Sequence, residues 1–214
     1  ALFMPKTKFA DNAMDEKTTR LIAQMHKAIT IIQFKLEGEI IRRRPEFEMD
    51  DRMLLHHIDL KRGVVHIDGK DYMLKDTNWP TLDPKDPYRL SIEEEDLIRK
   101  ILHSFESSEK MKKHMRCFFR HGGMYQVCNS NLLFHASIPM NPDGTFKSVR
   151  ILGQDYKGSA LLDRVDQLIR TAYFKTGEQE EVEYAHDYIW YLWGGKDSPS
   201  VSYTHLTLPT TPYV

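Results

Sequence analysis

Residues 124–139, MYQVCNSNLLFHASIP, mark a change from helical to β-strand character in this 214-residue chain. The apolar runs MYQVC and LLFHASIP flank the polar turn NSN, a pattern typical of two short strands joined by a tight turn. Gly122 and Gly123 come just before them and end a helical pattern. The segment therefore predicts a β-rich region between helices, and we expect the fold class α/β in the α+β sense.

The residues that follow this segment continue the mixture of strands and helices. Residues 140–144, MNPDG, form a turn into TFKSVRIL and GQDYKG, which we expect to be another hairpin. Apolar spacing then predicts a helix over 158–175, a break at Gly177, and a second helix through Asp187 to Trp193. The aromatic cluster YIWYLW, residues 188–193, could stack on a ligand, but we predict that it packs in the core.

The residues before the segment are mainly helical in pattern. One long amphipathic helix is predicted over 15–44, ended by Pro45, because apolar residues recur at steps of three and four. The pair Asp68-Gly69 predicts a tight hairpin. The spacing of Ser91 and Glu94 predicts a capping box, which begins a helix from residue 92 to about 120.

Composition excludes several classes of function. The 30 Lys and Arg residues nearly balance 31 Asp and Glu, leaving a net charge of -1, so we expect no nucleic-acid partner. The longest apolar runs are only a few residues, so we expect no membrane span. Cys117 and Cys128 lack the CxxC spacing and the density of a disulfide scaffold, which favours reduced thiols and a cytoplasmic protein.

Two clusters in the helical part are candidate sites with a simpler explanation. The run Arg42, Arg43, Arg44 could bind an anion, but basic residues in a last helical turn also complement the helix dipole. We expect the side chains of His56 and His57 to point in different directions, so two ligands to one ion are not expected there.

His135 is the candidate metal ligand of the sequence. It directly follows the apolar run LLF and precedes two small residues, at the end of a predicted strand. Ligand sites of open α/β sheets lie beyond the carboxyl ends of strands. No DxH, GDxxD or GNHE block accompanies it, so the residues alone leave both a structural histidine and a metal ligand open.

Three long strings carry a resemblance to a known family. They are QFKLEGEIIRRRPEFEMDDRMLL at 33–55, MYQVCNSNLLFHASIPMNPDGTF at 124–146 and YIWYLWGGKDSP at 188–199. Together they resemble consecutive stretches of class 3 (Firmicutes-type) fructose-1,6-bisphosphatase, in the family's order, over residues 8–199. The resemblance implies a partial calcineurin-like metallophosphoesterase β-sandwich with a large helical insertion.

The resemblance also implies an organisation along the chain. Residues 1–121 would be the mainly helical, family-specific insertion, and residues 122–199 would be a strand and helix part of the metallophosphoesterase core. Residues 200–214 do not continue the preceding pattern, and we expect them to be a non-native, adapter-derived tail. The insertion could shape a substrate pocket or the interface of a homo-oligomer, and the sequence leaves both open.

What the resemblance implies about chemistry concerns a longer enzyme. The parent would hydrolyse fructose 1,6-bisphosphate to fructose 6-phosphate and phosphate, a step of gluconeogenesis, with two divalent cations, Mn2+ being expected. His135 would be a metal ligand. The family's DxH and GNHE blocks would lie upstream and its GH block downstream, so we expect an internal, inactive fragment whose catalytic residues are unknown.

Two other functions stay open at this point. One is a non-catalytic helical interaction module, and the other is a metallophosphoesterase that acts on a different phosphomonoester. A shared fold does not distinguish this other metallophosphoesterase from a fructose-1,6-bisphosphatase, because one scaffold hosts many substrates.

Overall fold

A computed structural model describes residues 15–201, which form five α-helices and seven short strands. Contacts divide the chain into two compact units, one ending at Ser107 and the other beginning at Ser108. The mixed α/β class predicted from the sequence is confirmed. Most of the predicted adapter-derived tail lies outside the described residues.

The first unit begins with the long helix α1, Glu16–Arg43. Asp15 caps it, since its carboxylate accepts hydrogen bonds from the backbone N–H of Thr18 at 2.9 Å and from the Thr18 hydroxyl at 2.6 Å. The chain leaves the helix immediately before Pro45. The predicted single helix ended by this proline is therefore confirmed.

Three short 3-10 helices and a small sheet follow α1. The 3-10 helices span Pro45–Phe47, Asp50–Arg52 and Leu55–His57. The sheet is antiparallel and contains β1 (Ile58–Asp59), β2 (Val64–Ile67) and β3 (Lys70–Met73) in that order. Asp68 and Gly69 have φ values of 49° and 74°, so the predicted hairpin turn is confirmed.

Tyr88 fixes the loop after this sheet against α1. Its side chain is buried, and its ring lies so close to Gly38 that a Cβ on that glycine would overlap the ring. The guanidinium of Arg42 lies over the same ring, 4.6 Å from its centroid. Gly38 therefore has to be a glycine, although it lies within a helix, because the Tyr88 ring leaves no room for a Cβ.

The helix α2, Ile92–Ser107, begins with the predicted capping box. The backbone N–H of Ser91 donates to Oε2 of Glu94 at 2.8 Å, and the N–H of Glu94 donates to Oγ of Ser91 at 3.3 Å. The same carboxylate oxygen accepts a hydrogen bond of 2.7 Å from Nζ of Lys35, whose side chain is 0% exposed. A buried ion pair therefore connects α1 to the start of α2.

The second unit begins with α3, Glu109–His121. Our prediction of one helix from residue 92 to about 120 is wrong, because Ser108 adopts an extended conformation between α2 and α3. Its hydroxyl accepts a hydrogen bond of 3.3 Å from the backbone N–H of Met111. A serine that caps a following helix competes with continuation of the preceding one.

Two separate hairpins follow α3, as the sequence predicts. The first pairs β4 (Tyr125–Cys128) with β5 (Asn131–Phe134), and the second pairs β6 (Val149–Ile151) with β7 (Gln154–Tyr156). Residues of positive φ occupy both turns: Asn129, Ser130, Leu152 and Gly153. Among residues 15–201 these hairpins do not join a larger sheet, and the predicted calcineurin-like sandwich stays a prediction.

The core of the second unit lies between α4 (Gly158–Phe174) and α5 (Gln179–Tyr191). The fully buried side chains of these helices are those of Leu161, Val165, Leu168 and Ala185. Tyr188, Tyr191 and Leu192 are also buried, while Ile189 and Trp190 are half-buried, so the predicted core role is confirmed for three of the six residues of the cluster. Trp193 does not fit that role, because 83% of its surface is exposed. No helix within residues 15–201 combines the length and apolar character that a membrane crossing requires.

Candidate metal centre

His135 lies at the root of the β4–β5 hairpin, one residue after the end of β5. The last residue pair of the hairpin, Tyr125 and Phe134, is next to it. The imidazole is exposed. The position at the end of a strand is the one predicted from the sequence, and its exposure makes the ring available to a ligand.

The chain just after His135 is fixed to the segment that follows α5. The backbone N–H of Ser137 donates to the carbonyl of Pro199 at 3.2 Å, and its hydroxyl donates to the carbonyl of Val201 at 2.8 Å. These bonds hold the backbone two residues from the imidazole. His135 therefore projects from a loop with a defined anchor on one side and a strand on the other.

A second layer of contacts holds the segment that provides those carbonyls. Lys147 pairs with Asp197 at 2.5 Å, and its backbone N–H donates to the carbonyl of Pro139 at 2.9 Å. The hydroxyl of Ser198 is buried and donates to the carbonyl of Leu192 at 2.8 Å. The sequence does not predict these roles, although Asp197 and Ser198 belong to the string YIWYLWGGKDSP, which carries part of the resemblance.

Within the part of the chain that the structure describes, His135 has no set of further ligands around it. No group of three or more His, Cys, Asp or Glu side chains there could hold a metal ion. A tetrahedral or octahedral site needs four to six ligand atoms. Residues 15–201 therefore do not by themselves fit a complete two-cation centre.

The two adjacent histidines of the first unit do lie together. Their ring centroids are 3.9 Å apart, so our prediction that His56 and His57 point in different directions is wrong: the two rings lie side by side on the short 3-10 helix that ends at His57. Nδ1 of His56 lies 2.9 Å from the hydroxyl of Tyr88, which also accepts a hydrogen bond from the N–H of Leu55. Burial, with the nearby charges of His57 and Arg42, lowers the pKa of His56.

Arg42, near the end of α1, is engaged with acidic groups. Arg42 donates to Asp86 at 2.9 Å and to Glu39 at 3.2 Å, and its guanidinium also covers Tyr88. A phosphate would compete with these two carboxylates for the guanidinium. For Arg42 the structure therefore favours the dipole and ion-pair interpretation over an anion site.

Comparison with known proteins identifies the family. The family model described as Firmicute fructose-1,6-bisphosphatase matches residues 1–211. A class 3 fructose-1,6-bisphosphatase of Parabacteroides distasonis is 99% identical over 199 residues, which cover 93% of this chain and 30% of that protein. Enzymes of the same name from Bacteroides fragilis and Clostridioides difficile are 64% and 50% identical, over 93% and 92% of this chain and 30% and 29% of their own lengths.

The chain thus spans about 30% of the length of the curated relatives it matches. No solved structure matches it. Because the family model covers almost the whole sequence, including every residue that the structure describes, the match does not depend on a single motif. This chain belongs to the Firmicute fructose-1,6-bisphosphatase family.

Proposed function

We propose that this chain is part of a fructose-1,6-bisphosphatase that hydrolyses fructose 1,6-bisphosphate to fructose 6-phosphate and inorganic phosphate. The single observation that carries the proposal is the family match over residues 1–211, together with relatives that bear this name. The reaction is the hydrolysis of a phosphoric monoester. With this substrate and product, it is a step of gluconeogenesis. The active site is incomplete in residues 15–201, where no acid cluster accompanies His135.

The proposed role of His135 is to donate one imidazole nitrogen to a divalent cation. Neutral imidazole is a ligand for first-row metals, and the resemblance to the family makes Mn2+ the expected ion, with two cations in the parent. The remaining ligands would come from parts of the parent that this chain does not contain. When bound, such cations stabilise charge on a phosphoryl group that is being transferred.

The rest of this chain would act by positioning. The Ser137 bonds to the carbonyls of Pro199 and Val201 fix the backbone next to the imidazole. We propose that β4 and β5 belong to a calcineurin-like β-sandwich in the parent, and that residues 1–121 are a helical insertion in it. The thiols of Cys117 and Cys128 are free and exposed, which supports a reducing, cytoplasmic location.

The test uses the full-length parent and measures phosphate released from fructose 1,6-bisphosphate with Mn2+. His135→Ala should lower kcat by about 100-fold or more and lower the bound Mn2+, since loss of a ligand disrupts a metal site. His121→Ala is the matched control, because His121 is also exposed and belongs to the same unit. It should leave both activity and metal content unchanged.

The possible results separate the proposed function from its competitors. A parent that binds Mn2+ but releases phosphate only from other monoesters would contradict the substrate and favour a different phosphoesterase. A parent that binds no metal and has no phosphatase activity would favour the interaction module. Full activity of His135→Ala with unchanged Mn2+ would remove the assigned role of this residue while leaving the reaction in place.

A further inference from the structure

A cleft in the second unit lies between the start of β4 and one side of α4. We name it the α4 cleft. Its volume is about 560 Å³, within the range of about 300–1,000 Å³ that is typical of small-molecule sites. One wall is formed by residues 122–127, and α4 contributes the polar side chains of Asp163, Asp166, Gln167 and Arg170 to the other wall.

The arginine of the α4 cleft is occupied by the fold itself. Nε of Arg170 donates to Asp166 at 2.6 Å. Its two terminal nitrogens donate to the carbonyls of Phe119 at 2.7 Å and of Gly122 at 3.1 Å, which joins the end of α3 to α4. Because each nitrogen of this guanidinium already has an acceptor, Arg170 is a poor partner for a phosphate.

The carboxylate of Asp163 is the charged group that remains available in the cleft. Of the two arginines of α4, Arg164 pairs with Glu181 at 2.8 Å and Arg170 is held by the bonds just described. The negative charge of Asp163 raises the pKa of the Tyr125 hydroxyl, so these two side chains lie close together and the phenol stays protonated at neutral pH. The cleft therefore presents a carboxylate acceptor beside a hydroxyl donor.

Two glutamine side chains add amide groups to this pair. Gln126 lies on β4, and Gln167 lies one helical turn after Asp163. Each amide has two donors and an acceptor, which suits a ligand whose hydroxyl groups also donate and accept. Two aspartates and one arginine line the cleft, so its net charge is -1. This charge disfavours an anionic group and favours an uncharged part of a ligand.

Gly123 leaves open space at the wall of the cleft. At Gly122 a Cβ would lie 2.6 Å from the carbonyl of Phe118, whereas at Gly123 it would meet only the carbonyl of Tyr125 at 3.6 Å, an ordinary contact. Gly123 is also not among the glycines of positive φ. Neither packing among the described residues nor backbone conformation requires this glycine, but an open cleft does, because any side chain there would occupy its space.

We propose that the α4 cleft binds the hydroxyl groups of the sugar in fructose 1,6-bisphosphate, through Asp163, Tyr125 and Gln167. This inference rests on the proposed function and assigns the sugar to named residues. It is supported by position, since Tyr125 lies directly opposite Phe134, the residue before His135, at the same end of the hairpin. The two phosphates of the substrate would lie outside the cleft, because its own charge is negative.

Steady-state kinetics of the full-length parent test the proposal, because only one of the two products contains a sugar. Asp163→Asn should raise KM for fructose 1,6-bisphosphate about tenfold or more and keep kcat within about threefold, since a bond to the sugar contributes equally before and during the reaction. Inhibition by fructose 6-phosphate should weaken by the same factor. Inhibition by inorganic phosphate should stay within about twofold, because phosphate has no sugar hydroxyl.

A second variant and a control accompany this measurement. Gly123→Ala places a methyl group at the wall of the cleft and should also raise KM, with circular dichroism confirming that both variants fold. Asp155→Asn is the matched control, because the Asp155 side chain is 60% exposed, belongs to the same unit and does not line the cleft. It should leave KM and both inhibition constants unchanged.

The outcomes separate this inference from the proposed function. Unchanged KM in folded Asp163→Asn and Gly123→Ala overturns the sugar site and leaves the reaction in place. Equal weakening of inhibition by both products also overturns it, since the variant would then disturb the binding of phosphate. If the parent does not hydrolyse fructose 1,6-bisphosphate, the proposed function fails, and titration of this chain with D-fructose decides the sugar site. Fructose should then shift the side-chain amide NMR signals of Gln126 and Gln167, but not in Asp163→Asn, and the absence of any shift overturns the proposal.

Discussion

Replacement of Lys35 by Met should strongly destabilise the first unit. The side chain of Lys35 is fully buried, and its Nζ lies 2.7 Å from Oε2 of Glu94 and 2.6 Å from the carbonyl of Thr81. Met has a similar length but carries no charge. Lys35→Met therefore removes the cation from the Glu94 side chain, which is only 8% exposed. Removing one partner of a buried ion pair costs about 3–5 kcal/mol, a large part of a typical domain stability.

The measurement is urea denaturation of this chain, followed by circular dichroism at a helical wavelength. Lys112→Met is the matched control, since Lys112 pairs with Glu109 at 2.9 Å on the exposed surface of α3. That pair is solvated, so the control should change the free energy of unfolding far less than Lys35→Met does. The two variants make the same chemical change in different surroundings, which isolates the effect of burial.

A double variant distinguishes the unpaired charge from lost packing. Glu94→Gln keeps an acceptor for the Ser91 N–H but removes the negative charge, so in the Lys35→Met background it should recover a substantial part of the loss. A cost of less than about 1 kcal/mol for Lys35→Met would refute the reasoning, because a buried pair would then behave like a surface pair. Failure of Glu94→Gln to recover stability would assign the loss to packing instead.

Two further predictions concern the same unit. Gly38→Ala should lower the stability of the first unit by about 1–3 kcal/mol despite the better helix propensity of Ala, since the new Cβ overlaps the Tyr88 ring. Urea denaturation checks this, and Gly123→Ala in the second unit, whose new Cβ would meet only the Tyr125 carbonyl at 3.6 Å, an ordinary contact, should change stability little. The pKa of Glu94 is lowered, because hydrogen bonds from Lys35 and neighbouring groups outweigh desolvation by burial, which is the largest single effect and acts to raise it. The stability that the Glu94 carboxylate contributes is therefore fully present above its ordinary pKa and is lost as pH falls through its lowered pKa in the folded protein. Unfolding midpoints measured below about pH 4.5 should therefore decrease less in Glu94→Gln than in the unsubstituted chain.

Local signals made much of the fold predictable from the sequence. The hairpin turn at Asp68 and Gly69 depends on positive φ values that this pair adopts readily, and the capping box at Ser91 and Glu94 depends on two nearby hydrogen bonds. Such features involve residues close in sequence. The break at Ser108 was missed although a capping serine stood there, because the helical pattern of polar and apolar residues continues on both sides.

The candidate site was less predictable, for a different reason. The strand end at His135 could be located from the apolar run before it, but its role as a ligand depends on residues distant in sequence. The anchoring of Ser137 to Pro199 and Val201 joins residues more than sixty positions apart, and no local pattern indicates such pairs. One feature of the sequence does indicate the burial of Lys35, because this basic residue lies on the same face of the helix as the apolar residues Ile31 and Ile32.

The buried ion pair also matters while the protein is being synthesised. Lys35 and Glu94 are separated by 59 positions, so at about 5–20 residues per second the ribosome adds the acidic partner roughly 3–12 s after the basic one. During that interval the inner face of α1 has a cation without its carboxylate and apolar side chains without their cover. The nascent chain is therefore a target for a chaperone until α2 has emerged, and a pause in translation before Glu94 would lengthen that exposure.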